Sequence, residues 1–139
     1  MKIAIISLFL AVISILAYPY TKQDKFEIQG TSIDLGVIVM VTEDTAKAAT
    51  YVRSNLDSTA VGSDFDCRGV TFPTQNGKPI IIWLPNLEDK GVISHELFHA
   101  TISKMQWAGI PLTDDTEEIY AYELQYLTNQ FNNHVRRSN

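Results

Sequence analysis

Cysteine is nearly missing from this chain: Cys67 is the single one in 139 residues, so no intrachain disulfide can form. A domain of this size that works outside the cytoplasm must then rely on its core, and on a metal if it holds one. Basic residues are also scarce. Eleven Lys and Arg against sixteen Asp and Glu give a net charge of −5 with no basic cluster, which argues against a nucleic-acid partner. Internal repeats and low-complexity tracts are lacking. So is an apolar run of full membrane-spanning length. Ile3 to Tyr18 is uncharged over sixteen residues, about 24 Å of helix, against a hydrocarbon core of ~30 Å. Residues 1–20 therefore read as a signal peptide or a short retained anchor, with Ile15 and Ala17 a mediocre pair for the cleavage rule. The expected localisation is membrane-anchored or exported. Lys2 favours an extracytoplasmic domain, while Lys22 and Lys25 blunt that bias.

What is present reads as one small domain of α+β class, residues 33–133, behind a polar linker over 21–32 and ahead of a tail over 134–139. The run "SIDLGVIVMV" is a strand candidate rich in Val and Ile, and "TEDTAKAATYVRSNLD" a helix with Thr42 as N-cap. Cys67 falls in a Gly- and Asp-rich loop. Next, "GVTFP" and "PIIIWLP" flank Thr74 to Lys78, in which Asn76-Gly77 signals a hairpin. Pro79 and Pro85 bracket the second strand, which suits an edge position. Two helices follow, giving a small, mostly antiparallel sheet packed with helices.

The chemistry concentrates in "SHELFHA", residues 94–100. Residues four apart on a helix project about 40° from one another, so His95 and His99 share a face. Neutral imidazoles at that spacing can fill two corners of a zinc tetrahedron. Glu96 points to the flank, placed to miss the metal and reach a water beside it, as a general base must. Ile93, Leu97, Phe98, Ile102 and Met105 make this helix apolar on several sides, so it should be the buried centre of the domain.

A catalytic zinc takes three protein ligands and leaves one position open. The helix should run to about Trp107 and end at Gly109-Ile110-Pro111, after which Thr113 to Glu118 opens the next one. Two glutamates compete there for the third position. If Asp114 is the N-cap, Glu117 falls at the capping-box position and Glu118 is left to aim elsewhere. Tyr120, Leu124, Leu127 and Phe131 form an apolar stripe roughly 160° from Glu118, while Ala121 and Tyr122 make the Glu118 side apolar too.

HExxH followed after eighteen residues by a glutamate on the next helix resembles the gluzincin group of zinc metallopeptidases. The run "HELFHATISKMQWAGIPLTDDTEEIYAYELQYL" is also similar to small zincin-like proteins, including ones encoded by phages and prophages. The resemblance covers roughly the last third of the chain. It implies a minimal zincin-like domain with an HExxH helix and a C-terminal ligand helix, and Zn²⁺ held by His95, His99 and Glu118. Glu96 would be the general base, and a peptide or protein the substrate. Thermolysin-like members carry an aspartate four residues after the third ligand, where this chain has Tyr122. Family enzymes also present a Tyr or His to the oxyanion; Tyr122 is the first choice here, ahead of Tyr120, Tyr126 and His134. In the resembled family the strand before the HExxH helix pairs with extended substrate, and Ile80 to Leu84 stands in that place. The competing reading is a zinc-binding, membrane-associated interaction module without chemistry.

Overall fold

A computed structural model describes residues 25–29 and 33–138. Residues 1–20, expected as signal peptide or anchor, lie outside these; among the described residues no helix is long and apolar enough to cross a membrane.

Four strands form one mixed sheet: β1 (Lys25–Ile28), β2 (Val37–Val41), β3 (Val70–Phe72) and β4 (Ile80–Leu84), in the order β1-β2-β4-β3. Among the described residues three helices accompany it, α1 (Thr45–Asn55), α2 (Lys90–Trp107) and α3 (Glu117–Arg137), with a 3-10 turn at Gly62–Phe65. β1–β2 and β3–β4 are antiparallel, while β2 and β4 run parallel at the centre, Val37 opposite Ile80 through Val41 opposite Leu84. Strand period then sorts the core into two layers. Val37, Val39, Ile80, Ile82 and Leu84 face α2 and α3, with Ile93, Leu97, Ala100, Leu127 and Phe131. Met40, Ile81 and Trp83 face α1, with Ala48, Ala49, Val52 and Phe65.

β4 is the centre of the sheet and not its edge, because all five of its side chains are buried and both neighbours pair with it. An unbroken apolar run with no polar alternation is what a strand covered on both faces requires. Pro79 and Pro85 lie just outside the strand, where a missing N–H removes no ladder bond. With both sides occupied, β4 has no open edge for an extended peptide. The hairpin signal is realised: Asn76 and Gly77 take φ of 53° and 74°, and Lys78 N–H donates to Gln75 O at 3.0 Å.

Other boundaries differ from expectation. Part of the expected linker is strand β1, whose Phe26 and Ile28 alternate inward with Lys25 and Glu27 outward. Polar residues at every second position conceal a strand that covers one face only. The α1 cap is Asp44, whose carboxylate accepts from Lys47 N–H at 2.9 Å, while Thr42 Oγ1 accepts from Asp44 N–H instead. α3 begins at Glu117 behind Thr116 and not behind Asp114, so Glu117 and Glu118 occupy its first turn and no capping box forms. The expected tail continues α3 through Arg137, and His134 stacks on Phe26 with ring centroids 3.9 Å apart.

Candidate metal centre and its surroundings

The HExxH sequence lies in the middle of α2, which starts behind Asp89, whose carboxylate accepts from Val92 N–H at 3.0 Å. It stops in a Schellman arrangement. Gly109 takes φ 72°, its N–H donates to Gln106 O at 3.0 Å, and Ile110 N–H donates to Met105 O at 2.9 Å.

His95 and His99 share the exposed face of this helix, with Nε2 atoms 3.0 Å apart and rings nearly perpendicular at 80°. Two imidazole nitrogens on one tetrahedral zinc, each at ~2.0–2.1 Å, stand about 3.3 Å apart. The pair therefore suits a shared ion after an adjustment of a few tenths of an ångström. Glu96, one residue and about 100° further round the helix, is only 5 % exposed. It turns toward β3, where Thr71 Oγ1 donates to its Oε2 at 2.7 Å. Ser103, two turns on and so on the same flank, accepts from Thr74 N–H at 3.1 Å. That flank of α2 is stitched to β3 and the turn after it.

α3 docks elsewhere. Lys104 follows His95 by nine residues, half a turn round the helix, and its ammonium meets Glu123 Oε1 of α3 at 3.0 Å. Both side chains are buried, 0 % and 1 % exposed. Lys104 also donates to Leu35 O at 2.9 Å and Ile33 O at 3.2 Å, so the ammonium links α3, by the ion pair, to the segment leading into β2. The histidines therefore face away from the side of α2 on which α3 packs.

Glu118 lies five residues before Glu123, about 140° from it on α3, and is exposed, as is Glu117. Tyr122 is 66 % exposed on the same open side, and Ala121 is exposed too, so α3 is packed on one face only. Tyr120 is buried, its hydroxyl donating to Ile110 O at 2.7 Å. Among the described residues no three His, Cys, Asp or Glu side chains gather in a group fit to hold a metal. The structure thus brings His95 and His99 together, seats Glu96 beside them, and leaves Glu118 and Tyr122 apart. Phe98, on the histidine face, is 41 % exposed, where the sequence suggested core.

A cleft of about 750 Å³ opens at the start of α2, lined by Cys67, Arg68, Asn86, Asp89 and Lys90 among others, with the Arg68 guanidinium on the Asp89 carboxylate. Cys67 is exposed there.

Sequence reasoning missed Thr71, Gly69, Lys104 and Glu123. The signal for the last two was available: a lysine between Ile102 and Met105 and a glutamate between Tyr120 and Leu127 are charges set into apolar faces. No family model matches the chain, and no curated protein or solved structure matches it either. The likeness to gluzincins rests on His95, Glu96, His99 and Glu118 and the run around them.

Proposed function

We propose that the chain is a zinc-dependent peptidase of the gluzincin kind, built as a minimal zincin-like domain. His95 and His99 would hold the ion with Glu118, and Glu96 would act as general base. The observation that carries this reading is the convergence of the two Nε2 atoms to 3.0 Å on an exposed face, with the Glu96 carboxylate held on the adjoining flank. Zinc supplies the polarisation of a peptide carbonyl and of the attacking water. Glu96 takes the water proton on Oε1, since Oε2 is engaged by Thr71, and passes it to the departing amine nitrogen. Glu118 as third ligand and Tyr122 as oxyanion donor enter on the sequence pattern alone, side by side on the open face of α3. The substrate would be a peptide or protein met at or beyond a membrane, to which residues 1–20 deliver the domain.

A second reading has an observation in its favour. With Glu96 95 % buried and Glu118 turned outward, the chain also suits a zinc-binding, membrane-associated interaction module without chemistry.

The test is zinc content per full chain after exhaustive dialysis, for the wild type and for His95→Ala, Glu118→Ala and Glu117→Ala, together with zinc-dependent hydrolysis of a peptide library. One zinc lost in the first two variants and kept in the third, with hydrolysis abolished by Glu96→Gln, supports the peptidase. One zinc with no Glu96-dependent hydrolysis supports the module. A folded wild type without zinc ends both.

A further inference from the structure

We infer that Thr71, brought close by Gly69, is the positioning residue that presents the Glu96 carboxylate beside the histidine pair. The inference rests on the peptidase reading for its purpose, while its geometry stands independently.

β3 is a three-residue edge strand, and Thr71 is its middle residue, opposite Ile82 of β4. Strand period points Val70 and Phe72 at the α1 layer, where Phe72 meets the Phe65 ring at a centroid distance of 5.5 Å. Thr71 therefore faces α2. A polar residue at this point would be idle on a solvated strand, yet here its Oγ1 lies 2.7 Å from Glu96 Oε2 and 3.0 Å from Glu96 main-chain O. The hydroxyl has one proton for two acceptors, and the nearer, charged carboxylate oxygen is the stronger of them. One oxygen of Glu96 is thereby pinned, which fixes the direction in which the other points.

Gly69 makes the approach possible. A Cβ there would stand 2.7 Å from Val92 Cγ1, 3.2 Å from Glu96 Cγ and 3.3 Å from Leu84 Cδ2. The requirement is space: with a Cβ in place, Val92 and Glu96 of α2 or the start of β3 must shift. Gly69 just before the edge strand and Thr71 within it thus set the depth and the angle of the carboxylate. A general base must lie within hydrogen-bond reach of its proton in one orientation, and a helix residue with three side-chain torsions does not hold that orientation unaided.

The test uses the full chain as wild type, Thr71→Val, Thr71→Ser and Gly69→Ala. Two quantities are read: kcat and KM for zinc-dependent hydrolysis of a peptide selected from a library, and rotamer averaging of Glu96 from NMR couplings along its side chain. The expectation is a kcat lower by about 10- to 100-fold in Thr71→Val with KM little changed, and near-complete rescue in Thr71→Ser. Undiminished kcat in Thr71→Val overturns the inference. If the wild type cleaves nothing, the peptidase reading falls by itself and NMR decides the positioning. A single Glu96 rotamer in wild type and Thr71→Ser, with averaging in Thr71→Val and Gly69→Ala, sustains it, and a single rotamer in every variant overturns it. Should Thr71→Val not fold, Thr71→Ala is read in the same way.

Discussion

Replacing Lys104 by Met removes a buried cation while keeping the length and most of the volume of the side chain. The loss has two parts. Glu123, 1 % exposed, is left without the ammonium that stands 3.0 Å from it, and Leu35 O loses a donor at 2.9 Å. Ile33 O keeps the Leu35 N–H at 2.7 Å, so it adds little. Breaking a buried pair by removing one partner costs about 3–5 kcal/mol, whereas replacing both partners with apolar residues of similar volume is often neutral. Lys104→Met should therefore lower the midpoint of thermal unfolding by roughly 12–20 °C. Lys104→Met/Glu123→Leu should recover at least half of that. Urea unfolding of the wild type, both single variants and the double variant completes the cycle. If each single variant costs less than about 1 kcal/mol, or if the double variant shows the plain sum of the singles, the pair is not the joint between α2 and α3 that the geometry describes.

Gly77 and Gly109 both take positive φ, 74° and 72°, and Ala at either should cost about 1 kcal/mol in urea unfolding for the backbone alone. At Gly109 the added Cβ meets nothing within 4 Å, while at Gly77 it stands 3.2 Å from Trp107 Cζ2. Trp107 is 51 % exposed and free to yield, so a Gly77→Ala loss far above that of Gly109→Ala would show that the ring is fixed. The Asp57 carboxyl is held below the usual carboxylate range, first by the Thr59 hydroxyl and then by Thr59 N–H, with Gln75 adding to both. A carboxyl depressed on folding contributes stability above its unfolded value, and that contribution is lost as pH falls through the folded value. NMR titration should find Asp57 returning toward the ordinary range in Thr59→Val, and no change there would dismiss the hydroxyl as the cause.

How much of this was legible depended on whether local chemistry or tertiary placement decided the feature. The hairpin at Asn76-Gly77 and the end of α2 at Gly109 were legible because positive φ selects Asn and Gly wherever the chain must turn. The α+β class was legible as well, from the order of runs, with a four-stranded mixed sheet and three helices among the described residues as the outcome. The parallel pairing of β2 and β4 was not. Nothing in a single strand states its partner, and prolines just outside β4 mimic the marks of an edge. At the site, helix geometry alone foretold that His95 and His99 would share a face. The burial of Glu96 needed Thr71, twenty-five residues earlier, and the direction of Glu118 needed the docking face of α3, which Glu123 and Lys104 set.

That docking face bears on how Glu118 can act. The Lys104–Glu123 pair and the Tyr120 hydroxyl on Ile110 O hold α3 from its second turn onward. Glu117 and Glu118 precede both of these holds, in a first turn whose cap residue, Thr116, makes no side-chain cap bond. Backbone bonds from Glu117 N–H to Thr113 O and from Ile119 N–H to Thr116 O close this turn, so it can respond apart from the holds further along. If Glu118 joins the histidines on one zinc, the change should fall on that turn alone. Adding zinc to the full chain should then alter amide hydrogen exchange at Glu117 to Ile119 and leave Glu123 to Leu127 as slow as before. Zinc bound through His95 and His99 without any change at Glu117 to Ile119 would remove Glu118 from the ligand set. A uniform change along α3 would mean instead that the Lys104–Glu123 joint yields, and the double variant at that joint should then bind zinc more tightly than the wild type.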